Sequence, residues 1–345
     1  MINFNDARIA LLAAHRVGNK QRGEANFVSE ELISMDGVLE DTLFRFFTKS
    51  LKKSYDVQKF VHHSNLNLNE VYKYVVEIFN DPMHIYPQSI NILHHLFEQS
   101  DHPNIKTGEL YVAFFRDLLY EDEMLTGIGI FKTEKKSRFL QIQDHEQSLS
   151  IHAHEGVLAE KMDKGCLILN TEKNDGFRVF TYDNNSYDTQ YWNQKFLGID
   201  YLANDHFHTV HYMDMCNSFS EAVVGQDLDQ HKKVEFLSRS LDYFSQNEHF
   251  DADDFAHRTL PSTQMKDQFK EWRTDYGLDN IEQFEISKPG VQKSKSKFKA
   301  LIKLDTEIEI KLKMKNPEEE ESFIERGYDK EKGMWFYKLY FNEEY

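Results

Sequence analysis

Two apolar runs lying close together set the first limit on the fold. Glu109–Leu119 reads ELYVAFFRDLL and Leu125–Phe131 reads LTGIGIF, with only Tyr120-Glu121-Asp122-Glu123 as a polar cluster between them. Both runs are rich in β-branched, aliphatic and aromatic residues, so a hairpin around a short acidic turn is expected. A strand with one wet face alternates apolar and polar. These two are apolar almost throughout, the mark of strands buried on both faces. The pair is therefore expected near the middle of a sheet. Gly127 and Gly129 stand two apart, on one face, where a neighbour can approach the backbone closely.

The flanking sequence supplies further strands and covering helices. Ile9–Ala14 and Asn26–Ile33 read as strands. After Asp36, a candidate cap, Leu39, Leu43, Phe44, Phe47 and Leu51 recur at helical spacing. Asn67 or Asn69 is expected to cap a second helix through Val71, Val75, Val76 and Phe79. Ser89 is expected to cap a third, with Ile92, Leu93, Leu96 and Phe97 inward. Arg138–Ile142 reads as another strand. Cys166–Leu169 and Phe177–Tyr182 read as a hairpin around a link rich in Asn, Asp and Gly. A helix over Tyr191–Leu197 stops at Gly198. The stretch 217–276 reads as helical, with its last three short helices either a helix-turn-helix or, by preference, a plain helical spacer.

The tail has the clearest periodicity. From Phe298 to Met314 the even positions are mostly apolar and the odd ones mostly charged, so period-two β-structure is expected, folding back at Leu304-Asp305-Thr306. Asn316-Pro317 and Glu318–Glu321 break it, and a last hairpin follows around Asp329–Gly333. The fold class expected is α+β: a mixed sheet with flanking helices, a helical middle segment and a small β-rich C-terminal part. The expected divisions are 1–216, 217–280 and 281–345.

Charge and cysteine content narrow the function classes. The 345 residues carry 58 acidic and 41 basic side chains, a net charge of −17. Such a chain repels phosphate and anionic lipid in general, so any nucleic-acid role needs a local basic face or a partner protein. Cys166 and Cys216 are the only cysteines, with no CxxC pair, so two reduced thiols of a cytoplasmic protein are expected. The apolar run Ile9–Ala14 is too short for a signal-peptide core, and no run could span a bilayer as a helix. The 27 Phe and 17 Tyr are a heavy aromatic content, compatible with a homodimer.

Catalytic motifs are sparse. Gly127-Ile128-Gly129 lacks the third glycine of a dinucleotide fingerprint, and neither a Walker loop, GxSxG nor HExxH occurs. Glu121, Asp122 and Glu123 fit a solvated turn better than an acidic catalytic cluster. His206, His208, His211 and Asp214 have ligand chemistry but no spacing that gathers all four, so neither metal nor cofactor is expected. A metal-dependent nuclease built on either group is the least favoured reading.

The basic feature lies near the C-terminus. Between Lys288 and Lys315 nine lysines stand against Asp305, Glu307 and Glu309. Lys293, Lys295, Lys297 and Lys299 alternate along the chain. On an extended strand they would form a row of ammonium groups about 6.6 Å apart, able to meet the phosphates of one DNA strand. The structural alternative is a lysine linker or a guarded sheet edge. Lys132, Lys135, Lys136 and Arg138 form a second, smaller patch beside the central hairpin.

Five blocks in order then resemble one family. They are Lys106-Thr-Gly-Glu-Leu110, Gly127-Ile-Gly-Ile-Phe-Lys132, Lys195-Phe-Leu-Gly198, Ile302-Lys-Leu-Asp305 and Arg326-Gly-Tyr-Asp-Lys-Glu-Lys-Gly333. Their order along nearly the whole chain is similar to that of the bacterial nucleoid-associated proteins of the YejK or NdpA type. The resemblance implies a cytoplasmic, non-enzymatic protein of the nucleoid. It implies association with DNA, either directly or through a protein such as a type II topoisomerase, for which an acidic surface would serve as an adaptor. It carries over no catalytic or metal residues.

Overall fold

The central hairpin supplies two neighbouring strands of a sheet in which every strand runs antiparallel to those beside it. The computed structural model describes residues 2–53, 56–145, 148–160, 162–184, 191–224, 230–313, 324–341 and 343. The chain divides into two units, Met1–Leu202 and Ala203–Tyr345. The first contains, in chain order, β1 (Arg8–Val17), α1 (Gly37–Thr48), β2 (Gln58–Phe60), α2 (Glu70–Asn80), α3 (Ile85–Gln99), β3 (Gly108–Tyr120) and β4 (Glu123–Thr133). Then come β5 (Ser137–His145), β6 (Ser148–Gly156), β7 (Lys164–Leu169), β8 (Arg178–Asp183), a π-helical turn at Tyr191–Leu197 and β9 (Ile199–Tyr201). Seven strands form one sheet in the order β1-β3-β4-β7-β8-β2-β9.

The alternation missing from β3 in the sequence reappears as two cores. Leu110, Val112 and Phe114 face one way with Ile128, Ile130, Cys166 and Ile168, under α2 and α3. Ala113 and Phe115 face the other way with Phe131, Leu167, Leu169 and Phe180, under Phe46 and Phe47 of α1. Both faces are dry, so both sets must be apolar. Asp36 caps α1 by accepting from Leu39 N at 2.7 Å, and Asn69 caps α2 by accepting from Tyr72 N at 2.9 Å. The turn of the central hairpin is Glu121-Asp122, both exposed and both at positive φ, as a two-residue hairpin turn requires.

The glycines of the central strands have a packing role. A Cβ on Gly129 would run into the rings of Phe131 and Phe115, and one on Gly165 into Phe131 and Tyr182. Phe131 lies flat in that space and stacks on Phe47, with centroids 4.4 Å apart and planes 10° apart. This contact seats α1 on the sheet.

Several expectations are corrected. Asn26–Ile33 is not a strand. Only Phe27 bridges Arg16, because side chains take neighbouring backbone donors: Asn26 Oδ1 accepts from Gly18 N at 2.9 Å, and His15 Nδ1 from Ser29 N at 3.1 Å. Ser89 does not cap α3. A turn capped by Asp81 runs straight into that helix, and Ser89 lies inside it, donating to Tyr86 O at 2.7 Å. Arg138–Ile142 is a strand, but it belongs to the separate two-stranded ribbon β5–β6.

The second unit contains α4 (Asp205–Phe219), α5 (Gln230–Gln246), β10 (His249–Asp251), α6 (Ala252–Thr259), α7 (Thr263–Asp275), β11 (Gln283–Glu285) and α8 (Lys288–Lys295). Two hairpins follow, β12 (Lys299–Lys303) with β13 (Glu309–Lys313), and β14 (Ile324–Asp329) with β15 (Met334–Leu339). The division expected after residue 216 falls inside α4. The helices are not a spacer, because α4 to α8 share a core of Tyr212, Phe219, Phe236, Phe244, Phe255, Phe269 and Val291. Phe250 of β10 stacks between Phe244 and Phe284, at 5.4 and 4.7 Å. Much of the aromatic content is thus taken up by cores within one chain. The tail folds back where expected, with Leu304 N donating to Ile308 O at 2.9 Å. Met314, Lys315, Asn316-Pro317, Glu318–Glu321 and Phe323 lie outside the described residues.

Candidate nucleic-acid interface

The lysine segment of the second unit begins at a capped helix. Ser287 accepts from Gly290 N at 3.2 Å, its own N–H donates to Thr209 Oγ1 at 2.9 Å, and its hydroxyl lies 3.0 Å from His206 Nδ1. Pro289 sits in the first turn, where its missing N–H costs nothing. Gly290 allows close approach to α4, since an added Cβ would lie 3.2 Å from Thr209. Gly290, Val291 and Ser294 are buried, which leaves Lys288 and Lys293 exposed and Lys295 half-buried at the edge of the contact.

This geometry corrects the extended row. Lys293 and Lys295 are helical, and residues two apart on a helix point about 200° apart. Lys288 and Lys295, seven apart, return to nearly the same side. Lys297 follows the helix, and its Nζ is held 2.7 and 2.8 Å from the two oxygens of Asp214. Lys299 opens β12 and pairs in register with Lys313, while Lys303 pairs with Glu309. The segment reads as alternating in sequence because Lys and Ser suit a strand edge as well as a short helix. Ser287 and Pro289 were the signal for the helix start.

The second patch has a different role. Lys132 is fully buried, with Nζ 2.7 Å from Lys106 O and 2.9 Å from Glu134 Oε1. Lys135 lies 3.8 Å from Asp163, and Lys136 lies 2.9 Å from Glu109. Burial opposes ionisation of Glu109, but hydrogen bonds from Lys136 and Arg16 outweigh it and hold its carboxyl below the usual range. Asp163 Oδ2 also accepts from Glu134 N at 2.7 Å and Lys135 N at 3.2 Å. These cations and carboxylates clamp the root of the β5–β6 ribbon. Lys135 and Lys136 remain exposed while paired, and Arg138 is exposed on β5.

The histidines of α4 are separated by their packing. His206 turns to Ser287, His208 packs on Phe284, His211 stacks on Phe207 at 4.5 Å, and Asp214 holds Lys297. Among the described residues no group of three or more His, Cys, Asp or Glu gathers as metal ligands. Both cysteines are buried; burial pushes the Cys166 thiol up to about 12 and raises that of Cys216 as well, so both stay protonated.

One concavity escaped the sequence reading. A cleft of about 470 Å³ in the first unit is lined by His62, His63, Asn69, His95 and Lys195–Asp200. Asn69 builds its floor: while its oxygen caps α2, its amide donates to Leu197 O at 3.0 Å and Gly198 O at 2.9 Å. Gly198, at φ 62°, closes that turn. The signal available in sequence was the Lys195-Phe-Leu-Gly198 block, which forms one wall.

In a comparison with protein families, the family model NA37, nucleoid-associated protein YejK, aligns with residues 14–332. No curated protein matches the chain. Among the described residues no helix is long and apolar enough to cross a membrane.

Proposed function

As a member of the NA37 family of nucleoid-associated proteins, the chain acts at the nucleoid, and we propose that it does so without catalysis, touching DNA directly through the lysines of α8. Lys288, Lys293 and Lys295 provide the contacts. The observation that carries this reading is the way α8 packs. Its small and apolar residues Gly290, Val291 and Ser294 face inward, which leaves a cationic outer surface on a chain of net charge −17. Positive charge concentrated on one helix attracts a polyanion locally even when the whole molecule is acidic.

Titration of duplex binding against salt tests this. Affinity should fall steeply as salt rises, and Lys288→Glu with Lys293→Glu and Lys295→Glu should flatten the slope by about 0.9 for each phosphate left unneutralised. Unchanged binding by the triple variant would remove α8 as the contact.

A second reading has its own support. Lys132, Lys136 and Lys297 are engaged by Glu134, Glu109 and Asp214, so several of the singled-out cations are already neutralised within the chain. An acidic adaptor would reach DNA through a basic partner such as a type II topoisomerase. Purified protein would then leave duplex DNA unshifted at low salt.

A further inference from the structure

Among the described residues the hairpin β14–β15 pairs only with itself, and it holds large aromatic rings out in solvent. Trp335 is 62% exposed and Tyr328 49%, whereas Trp192 is fully buried. Tryptophan is highly buried on average, so a ring left this open marks a surface that becomes covered. The register sets Tyr328 opposite Trp335, Arg326 opposite Tyr337 and Gly327 opposite Phe336. Side chains alternate across a strand, so Arg326, Tyr328, Trp335 and Tyr337 share one face. The Arg326 guanidinium carbon lies 4.3 Å from the centre of the Trp335 ring, and Tyr328 meets that ring edge-on with centroids 5.1 Å apart.

Charge is sorted between the two faces. By the same alternation Glu325 and Asp329 lie on the opposite face, and both are engaged there. Glu325 lies 3.8 Å from Lys338 and accepts from the Tyr340 hydroxyl at 2.9 Å. Asp329 lies 3.9 Å from Lys332 and accepts from the turn amides of Glu331 and Lys332 at 2.9 and 3.0 Å. The Phe336 ring fills the space over Gly327, where an added Cβ would collide with it. Among the described residues of the two strands, the aromatic face is left with one cation, Arg326, and no carboxylate.

We propose that this face binds single-stranded DNA, with unpaired bases stacked on Trp335 and its aromatic neighbours and a phosphate drawn to Arg326. The inference deepens the reading of direct DNA contact and rests on it. Every base has a π-face, so an aromatic platform accepts bases without reading their sequence. Trp335 and Tyr337, two apart on a strand, are about 6.8 Å apart along it. A single strand, freed from the step of about 3.4 Å that the duplex imposes, can stretch to meet that spacing. Bases inside a duplex are already stacked on one another and offer no open π-face. A basic partner protein would face the guanidinium of Arg326 with no carboxylate on this face to pair with, so the face does not suit one.

Fluorescence titration of the full chain with a short oligo-deoxythymidylate tests the proposal. Emission should be quenched on binding, and Trp335→Phe should remove the quench while retaining binding, because Phe still stacks. Trp335→Ala with Tyr328→Ala should weaken binding by about fivefold to 150-fold for each stacked base lost. An abasic oligomer of the same length keeps the phosphates and removes the bases. It should bind the wild-type chain as weakly as the oligo-deoxythymidylate binds the double alanine variant, and this arm does not depend on how the variant folds. Equal affinity for the abasic oligomer overturns the proposal, as does undiminished binding by the double variant. The α8 variant Lys288→Glu with Lys293→Glu and Lys295→Glu should keep the quench, which separates the two contacts. A wild-type chain that binds duplex but not the oligo-deoxythymidylate overturns this inference alone; one that binds neither overturns direct DNA contact as well.

Discussion

The ammonium group of Lys132 lies 2.9 Å from the carboxylate of Glu134, with 0% and 7% of the two side chains exposed. The pair sits where β4 leaves the sheet toward the ribbon. Two charges so deeply buried are tolerable only together, because either alone would lack the solvation it has in water.

Replacing Lys132 by Met should therefore cost about 3–5 kcal/mol of stability, read as a lower urea midpoint at constant m-value. The amides of Glu134 and Lys135 should exchange faster, since the ribbon root loosens with the clamp. A change within experimental error would mean that Glu134 finds other compensation, and the clamp would not depend on Lys132.

Gly129 is expected to reject even one methyl group. The Phe131 ring occupies the space above it and stacks on Phe47. Gly129→Ala should destabilise by about 1–3 kcal/mol through overpacking. Combining it with Phe131→Leu should cost less than the sum of the two single changes, because both act on the same contact. Strict additivity would show that the two positions are not coupled.

Stability should decline on mild acidification. Burial and the neighbouring His94 lower the pKa of His15, and burial lowers that of His95. His15 accepts from Ser29 N, which leaves its Nε2–H to donate to Ser89 Oγ at 2.8 Å, so the neutral ring is the one that fits. In the window below the unfolded value of about 6.5 the unfolded chain binds the proton first, so stability rises with pH there and falls as pH drops. Full stability is present above that value. Denaturant titrations from pH 8 to pH 5 should show the decline, and His15→Gln should reduce it. Glu109 and Asp175 act in a lower window: Lys59 and Arg178 hold the Asp175 carboxyl below its usual range, so that contribution disappears only as pH falls through the carboxylate region.

Much of the architecture was legible because its signals are local. Asp36 before an amphipathic run, Asn69 three residues before Tyr72, and the continuous apolar character of β3 and β4 each reflect a short-range rule of capping or burial. Where side chains compete with the backbone over longer range, the reading failed. Asn26 and His15 take donors that a strand at 26–33 would need, and Asp81 starts the turn that leads into α3 well before Ser89. The lysine row failed for a related reason: alternating Lys and Ser satisfies an edge strand and a short helix equally, and the packing of Gly290 against Thr209 decides for the helix.

The sequence by itself determined an acidic α+β chain with a doubly covered sheet, an aromatic interior and a lysine-rich segment. Hydrophobic pattern, turn chemistry and net charge are properties of neighbours along the chain, and they survive without coordinates. Only the tertiary structure decided which charges meet. Lys132 finds the carbonyl of Lys106, Lys136 finds Glu109 and Lys297 finds Asp214 across separations that no periodicity records. Electrostatic pairing depends on distance in space and on burial, so a cation that looks available in sequence can be the bolt of an internal clamp, and a strand legible in sequence can stand exposed outside the main sheet, as β5 does.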